Sequence, residues 1–242
     1  MKTSSRTSKK KYFTKKVLQL IFLFSIALAG QCQTPDSTMS KWDYSVGADL
    51  VSRYVWRGTG YSNSPAFQPA LEVLYSNLAI GAWGSYSFNS LDIPEADLYL
   101  RYTFWKLKFT CWDYFYMDMS KVRNSYFVYN QEKMGHDFSF DTEFILSEKV
   151  PLKVLVSYNF YGADSLHSSY FETSYTLTKR IPLEIFVGFT PSAGWYGNGT
   201  GIVNTGVCLI KEYKISDENK MPVYCKLIFN PQRENIYLGI TF

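Results

Sequence analysis

Apolar and polar side chains alternate along most of the chain, in segments of about 8–14 residues separated by turn-forming stretches. In the first segment Asp43, Ser45, Gly47, Asp49, Val51, Arg53, Val55 and Arg57 are mostly polar or small, while the intervening Tyr44, Val46, Ala48, Leu50, Ser52, Tyr54 and Trp56 are mostly apolar. A period of two places such sets on opposite faces of an extended strand. The pattern returns at Glu95, Asp97 and Arg101 against Ala96, Leu98 and Leu100. It returns again at Asp137, Ser139, Asp141 and Glu143 against Phe138, Phe140 and Phe144, and around Glu172. Segments fall at 43–57, 66–75, 78–88, 95–104, 107–117 and 136–146, then at 152–160, 169–177, 183–190, 203–213, 222–229 and 235–242.

The turns between them alternate in length. Tight ones lie at Ser76-Asn77, Trp105-Lys106, Ser147 to Pro151 and Thr178 to Pro182. Longer ones lie at Gly58 to Pro65, Asn89 to Pro94, Met119 to Met134, Gly162 to Leu166 and Pro191 to Gly201. A soluble sandwich would also alternate, but this rhythm is that of a transmembrane antiparallel up-and-down β-barrel, here of about twelve strands, with ten as the alternative. An even number puts both ends on the periplasmic side. Asp113 breaks the pattern, since strict alternation turns it towards lipid, and a bulge or lumenal shift is expected there.

Composition sharpens the membrane reading. Aromatic residues make up 18% of the chain, with 20 tyrosines, and amphipathic rings favour lipid–water interfaces. After residue 29 no stretch is long and apolar enough for a helical span. Residues 1–16 carry seven basic side chains and no acid, followed by an apolar run from Val17 and the small-x-small Ala27-Leu28-Ala29. These are the parts of a secretory signal peptide. The expected organisation is a signal over 1–29, a short periplasmic tail over 30–41 and an outer-membrane barrel over 42–242. Cys32 follows Gln31 rather than the small residue lipidation favours, so it reads as an ordinary thiol. Without the signal, 18 basic residues stand against 21 acids, from 25 and 21 in the whole chain. The apparent basicity is thus a targeting feature, and no nucleic-acid partner follows from it. At the other end Ile236, Leu238, Ile240 and Phe242 form an apolar face. A final strand ending in an aromatic residue looks like the signal read by the barrel-assembly machinery.

The phase that turns apolar residues to lipid turns charge inward, because Arg or Lys on the lipid face costs roughly 2–4 kcal/mol at the midplane. The expected lumen lining is Asp49, Arg53, Arg57, Glu72, Glu95, Asp97, Arg101, Asp141, Glu143 and Glu172, with Asp43, Asp137, Glu184, Lys108, Lys153 and Lys226 beside them. Two readings compete. Arg53 and Arg57 could pair with Glu72 and Asp97 and fill the interior with ion pairs; or the lining could serve a hydrated pore for small polar solutes. No catalytic residue is expected. The histidines are His136 and His167; His136 faces away from Ser139, and no orienting acid adjoins His167. Neither a metal nor a cofactor is expected, as His and Cys are scattered. Gly197-Asn198-Gly199-Thr200-Gly201 reads as a turn, lacking the lysine and helix of a phosphate loop. Cys208 and Cys225 are candidates for a disulfide across adjacent strands.

Gly47-Ala48-Asp49-Leu50-Val51-Ser52-Arg53-Tyr54-Val55-Trp56-Arg57-Gly58 resembles the opening strand of the TorF-type porin family, which carries a D-x-x-S-x-Y-x-x-R-G pattern. Glu95-Ala96-Asp97-Leu98-Tyr99 is similar to its E-x-D-x-Y strand, and Gly194 to Gly199 and Asn230-Pro231 are similar to elements of its C-terminal half. The resemblance implies an outer-membrane barrel, a porin without an assigned solute, surrounded by outer-membrane lipid and passing small hydrophilic solutes.

Overall fold

The computed structural model describes residues 41–117, 125–147, 149–177, 182–216 and 220–242. The expected signal peptide, Cys32, the expected tail up to residue 40 and the first part of the 119–134 loop lie outside these residues. Extended segments dominate, with β1 at Trp42–Val51, β2 at Val55–Trp56, β3 at Thr59–Gly60, β4 at Ala66–Tyr75 and β5 at Leu78–Ser87. β6 covers Glu95–Phe104, β7 Leu107–Phe115, β8 His136–Ile145, β9 Leu152–Gly162 and β10 Ser169–Thr176. β11 covers Leu183–Thr190, β12 Gly201–Lys214, β13 Lys220–Asn230 and β14 Asn235–Thr241. All but β2 and β3 form one closed antiparallel barrel of twelve strands, each paired with its sequence neighbours and β14 with β1.

Alternation fixes the facing of each wall strand. On β4, Ala66 and Gln68 are buried inside the barrel, while Phe67, Leu71, Val73 and Tyr75 lie exposed outside. On β6, Glu95 and Asp97 are buried inward while Leu98, Leu100 and Tyr102 are exposed outward. The outer surface is therefore an apolar band, and the buried interior is largely polar.

The wall departs from the expected pattern in three places. β1 ends at Val51 rather than continuing to residue 57, and after Ser52 the chain leaves the wall until β4. Within that segment Arg57 and Gly58 both adopt positive φ, 49° and 78°, as the two central residues of the tight β2–β3 hairpin. Second, β7 keeps an unbroken register with β6 and β8, so Asp113 has no bulge and stays on the outer face. The register shifts fall instead at Phe160 on β9, skipped between Tyr161 and Asn159, and at Val203 on β12, skipped between Ile202 and Asn204. Third, the closing pair is short. Leu50 and Phe242 exchange main-chain bonds of 3.1 and 3.0 Å, and Ser52 N–H donates to Ile240 at 2.8 Å.

Candidate functional site

Segment 52–65 folds into the barrel at its long-loop end and crosses it. Its hairpin tip carries Arg57, whose guanidinium reaches the wall diametrically opposite β1. It donates to Asp141 of β8 at 2.9 Å, to Ser157 of β9 at 2.8 Å and to the Tyr196 hydroxyl at 2.6 Å. It also lies over the rings of Trp56, Tyr170 and Tyr196, 4.4–5.2 Å from their centroids. The ion pair is nearly dry, with side chains 7% and 12% exposed. A left-handed backbone is unfavourable for a side chain as large as arginine. Three hydrogen bonds and three ring contacts hold it there.

The rest of the hairpin meets the wall on nearly every side. Asn230 of β13 donates to the Gly58 carbonyl at 2.9 Å. A Cβ on Gly58 would lie 2.0 Å from the Val203 carbonyl oxygen, so only glycine fits that approach. Tyr54 packs on Trp83 of β5, Trp56 on Tyr114 of β7, and Tyr61 stacks parallel to Tyr116. Ser62 and Ser87 place their hydroxyls 2.8 and 2.6 Å from the Asp92 carboxylate, tying the segment to the β5–β6 loop. Asp92 is held below the ordinary carboxylate range by Ser87 first and Ser62 next. Together these contacts make segment 52–65 a plug.

The contacts continue into the wall as a hydrogen-bonded chain. Tyr196 donates to Asn159 at 3.2 Å, and Asn159 donates to Asp164 at 2.9 Å. Tyr170 donates to Glu172, which also accepts from Asn204 at 2.9 Å. The Asn204 Oδ1 atom is buried without a partner.

Beneath the plug lies a chamber of about 510 Å³. Tyr54 to Gly58 roof it, Trp83 and Trp112 flank it, and its charged lining includes Arg101, Lys108, Glu143, Lys153, Glu184 and Lys226. Several of these sit beside the starts of β7, β9 and β11, so the chamber reaches towards the short-turn end. Lys108 pairs with Glu143 at 2.9 Å, and Arg101 pairs with Glu72, which also accepts from Tyr99 at 2.7 Å. Lys153 and Lys226 make no ion pair among the described residues.

These contacts redistribute the predicted partners. Arg57 is lumenal but reaches inward from the hairpin rather than from β1, and its acid is Asp141. Arg53 donates to Asn63 and covers Tyr237 at 5.3 Å. Neither arginine meets Glu72 or Asp97. Asp97 accepts from the Phe115 N–H at 3.1 Å, beside the equally buried Glu95. Asp49 pairs in register with the buried, inward Gln68 and so faces the lumen. Asp141, Glu143 and Glu172 line the lumen from β8 and β10. Cys208 and Cys225 are free and face opposite ways, since Cys208 pairs in register with Lys226 and Cys225 with Leu209.

A second polar cluster sits outside the wall. His136 Nδ1 lies 2.6 Å from Asp113, and its Nε2 lies 2.6 Å from the Tyr126 carbonyl. The Tyr126 hydroxyl donates to the other Asp113 oxygen at 3.0 Å. Tyr129 stacks on the imidazole at 4.8 Å, Phe115 lies 4.7 Å away, and the ring is fully buried. The loop before β8 thus caps the outward carboxylate.

No protein-family model matches the chain, and neither a curated protein nor a solved structure is similar enough to count as a relative.

Proposed function

We propose that this chain is an outer-membrane β-barrel that passes small hydrophilic solutes when segment 52–65 leaves the lumen. The carrying observation is the chamber of about 510 Å³ beneath a plug whose principal anchor is polar. A barrel meant only to be solid has no need of a charged cavity. Arg57 is held by hydrogen bonds and an ion pair that water can replace. Membrane placement rests on the apolar outer band and the signal-like residues 1–29, and β14, whose Ile236, Leu238 and Ile240 face outward, is the strand through which the barrel-assembly machinery would recognise it. The motifs shared with TorF-type porins support the same reading.

Planar-bilayer recording tests it. The refolded wild type should show rare, brief conductance steps, whereas a variant with residues 53–62 replaced by a short Gly-Ser linker should conduct steadily. A linker variant that folds and stays silent would overturn gated passage. The second reading would then stand, a structural or surface-interaction barrel with a permanently filled lumen, which the extensive anchoring of Arg57 favours.

A further inference from the structure

The seam that closes the barrel leaves part of one strand without a neighbour. β4 pairs with β1 along its whole length, from Trp42↔Tyr75 to Val51↔Ala66, whereas β14 meets β1 only from Leu50 to Ser52. Leu50 exchanges main-chain bonds with Phe242, so its N–H and C=O point into the seam. In an antiparallel ladder every second residue points the same way, so those of Tyr44, Val46 and Ala48 do too, past the end of β14. Among the described residues Val46 and Ala48 have no main-chain partner on that side, and the Tyr44 N–H turns back to its neighbour Asp43 at 2.8 Å. Every residue from Trp42 to Leu50 is exposed, on both faces of the strand. Tyr44 and Val46 are 78% and 74% exposed, against 41–49% for the outward Leu71, Val73, Leu98 and Leu100. The far side of this notch is guarded. There the β13 residue in phase with the β14 ladder is Pro222, which has no N–H to offer, with Lys220 beyond it at the rim. Proline and lysine are usual guards of a strand edge, and β1 carries neither.

On the membrane placement proposed above, the unguarded edge lies at the depth of the hydrocarbon. Trp42 packs on Tyr75 at 4.7 Å near the short-turn end, and beyond it the outward Tyr44, Val46, Ala48 and Leu50 are apolar. Unpaired main-chain groups are costly in hydrocarbon, so sheet edges there are covered. The edge also selects its cover. Its lumenal side carries Asp43 and Asp49, six residues apart, which meet no cation among the described residues. A covering strand therefore needs apolar residues alternating with polar ones, two of them basic. A second upright copy does not supply it, because wall strands tilt by roughly 35–45° and those of two facing barrels cross. Residues 30–40 are polar in both alternations and include Pro35.

We propose that the free edge of β1 from Tyr44 to Ala48 is a β-augmentation site for an extended strand of another protein, apolar towards lipid and basic towards the lumen, which prolongs the line of β14. The proposal rests on the membrane placement and not on passage through the lumen.

The peptide Val-Lys-Val-Thr-Val-Thr-Val-Lys-Val, amidated and with a fluorophore on its N-terminus, reads the same in either strand direction and sets its lysines opposite Asp43 and Asp49. Fluorescence anisotropy with the refolded full chain in zwitterionic micelles, against empty micelles, measures its binding. Saturable binding is expected. N-methylation of the third, fifth and seventh residues removes the donors that Ala48, Val46 and Tyr44 would accept, and should weaken binding about tenfold or more. Glutamate in place of both lysines should do the same. Val46→Pro removes one N–H from the edge and leaves the β1–β4 ladder, whose donors are at Ser45 and Gly47; it should weaken binding by about tenfold. Wild-type protein that binds no peptide, because residues 30–40 already lie along the edge or for any other cause, would overturn the proposal. So would equal binding of the plain and N-methylated or glutamate peptides, or a folded Val46→Pro variant with unchanged affinity. The peptide comparison on the wild type decides even where the variant fails to fold. Binding without conductance would remove gated passage and leave the site; conductance without binding would remove the site alone.

Discussion

Replacing Arg57 by methionine is the sharpest perturbation of the plug. Methionine keeps most of the apolar stem and removes the guanidinium, so Asp141 loses its 2.9 Å partner. Among the described residues Asp141 keeps only the Ser139 hydroxyl, at 3.1 Å. Taking one partner from a buried ion pair costs about 3–5 kcal/mol, because the remaining charge is stranded. The lower end applies here, since the Asp141 side chain is 12% exposed towards a chamber that water can enter. With the plug withdrawn, Asp141 is solvated in either protein, so the cost falls almost entirely on the closed state. At 1.4 kcal/mol per factor of ten, about 3 kcal/mol raises the open-to-closed ratio by roughly a hundredfold. Single-channel open probability reads this directly. The double variant Arg57→Met with Asp141→Asn should open less than the sum of the single effects implies, because it strands no charge. A folded Arg57→Met protein with an open probability within about threefold of wild type would refute the reasoning.

Two further outcomes follow from the geometry. His136→Phe leaves the Asp113 carboxylate on the outer face with the Tyr126 hydroxyl alone, and should cost about 2–3 kcal/mol in urea unfolding from vesicles; adding Asp113→Leu should recover much of it, and an unchanged midpoint in the single variant would contradict the capping role. Asp92 contributes in its ionised form, because its folded value lies below the ordinary ~3.9; that contribution is complete above about pH 4 and fades as pH falls through the lowered value, so open probability should rise on acidification and Asp92→Asn should flatten the response.

The wall was legible in the sequence because its information is local. Each strand needs only its own alternation and flanking turns, and the observed bounds of β4, β6 and β11 are those the pattern predicts. The plug was not legible, for a physical reason. Tyr54-Val55-Trp56 continues the alternation of β1, and a hairpin arm inside the lumen obeys the same period of two as a strand in the wall. The overlooked signal was Arg57-Gly58, a turn pair directly followed by Thr59-Gly60, with serines and Pro65 before the next segment. Asp113 teaches a complementary lesson. Alternation put it outward, and the cost of charge against lipid argued for a bulge. The cost is met instead by His136, 23 residues later and on the neighbouring strand. Likewise Asp141 is 84 residues from Arg57. No windowed pattern detects partners at such separations.

The plug also sets the order in which this protein can mature. It follows the first wall strand, yet its anchors come 84, 100 and 139 residues later. Chain entropy barely separates these partners, since the closure cost differs by only about 0.4 kcal/mol between the shortest and longest spans. What separates them is the sequence in which strands are laid down. Until β8 and β9 have joined the sheet, Arg57 has nothing to grasp, and contacts this remote make for slow folding. The hairpin therefore docks only once the wall has curled far enough to bring β8 and β9 to it, and it is among the last parts of the protein to settle.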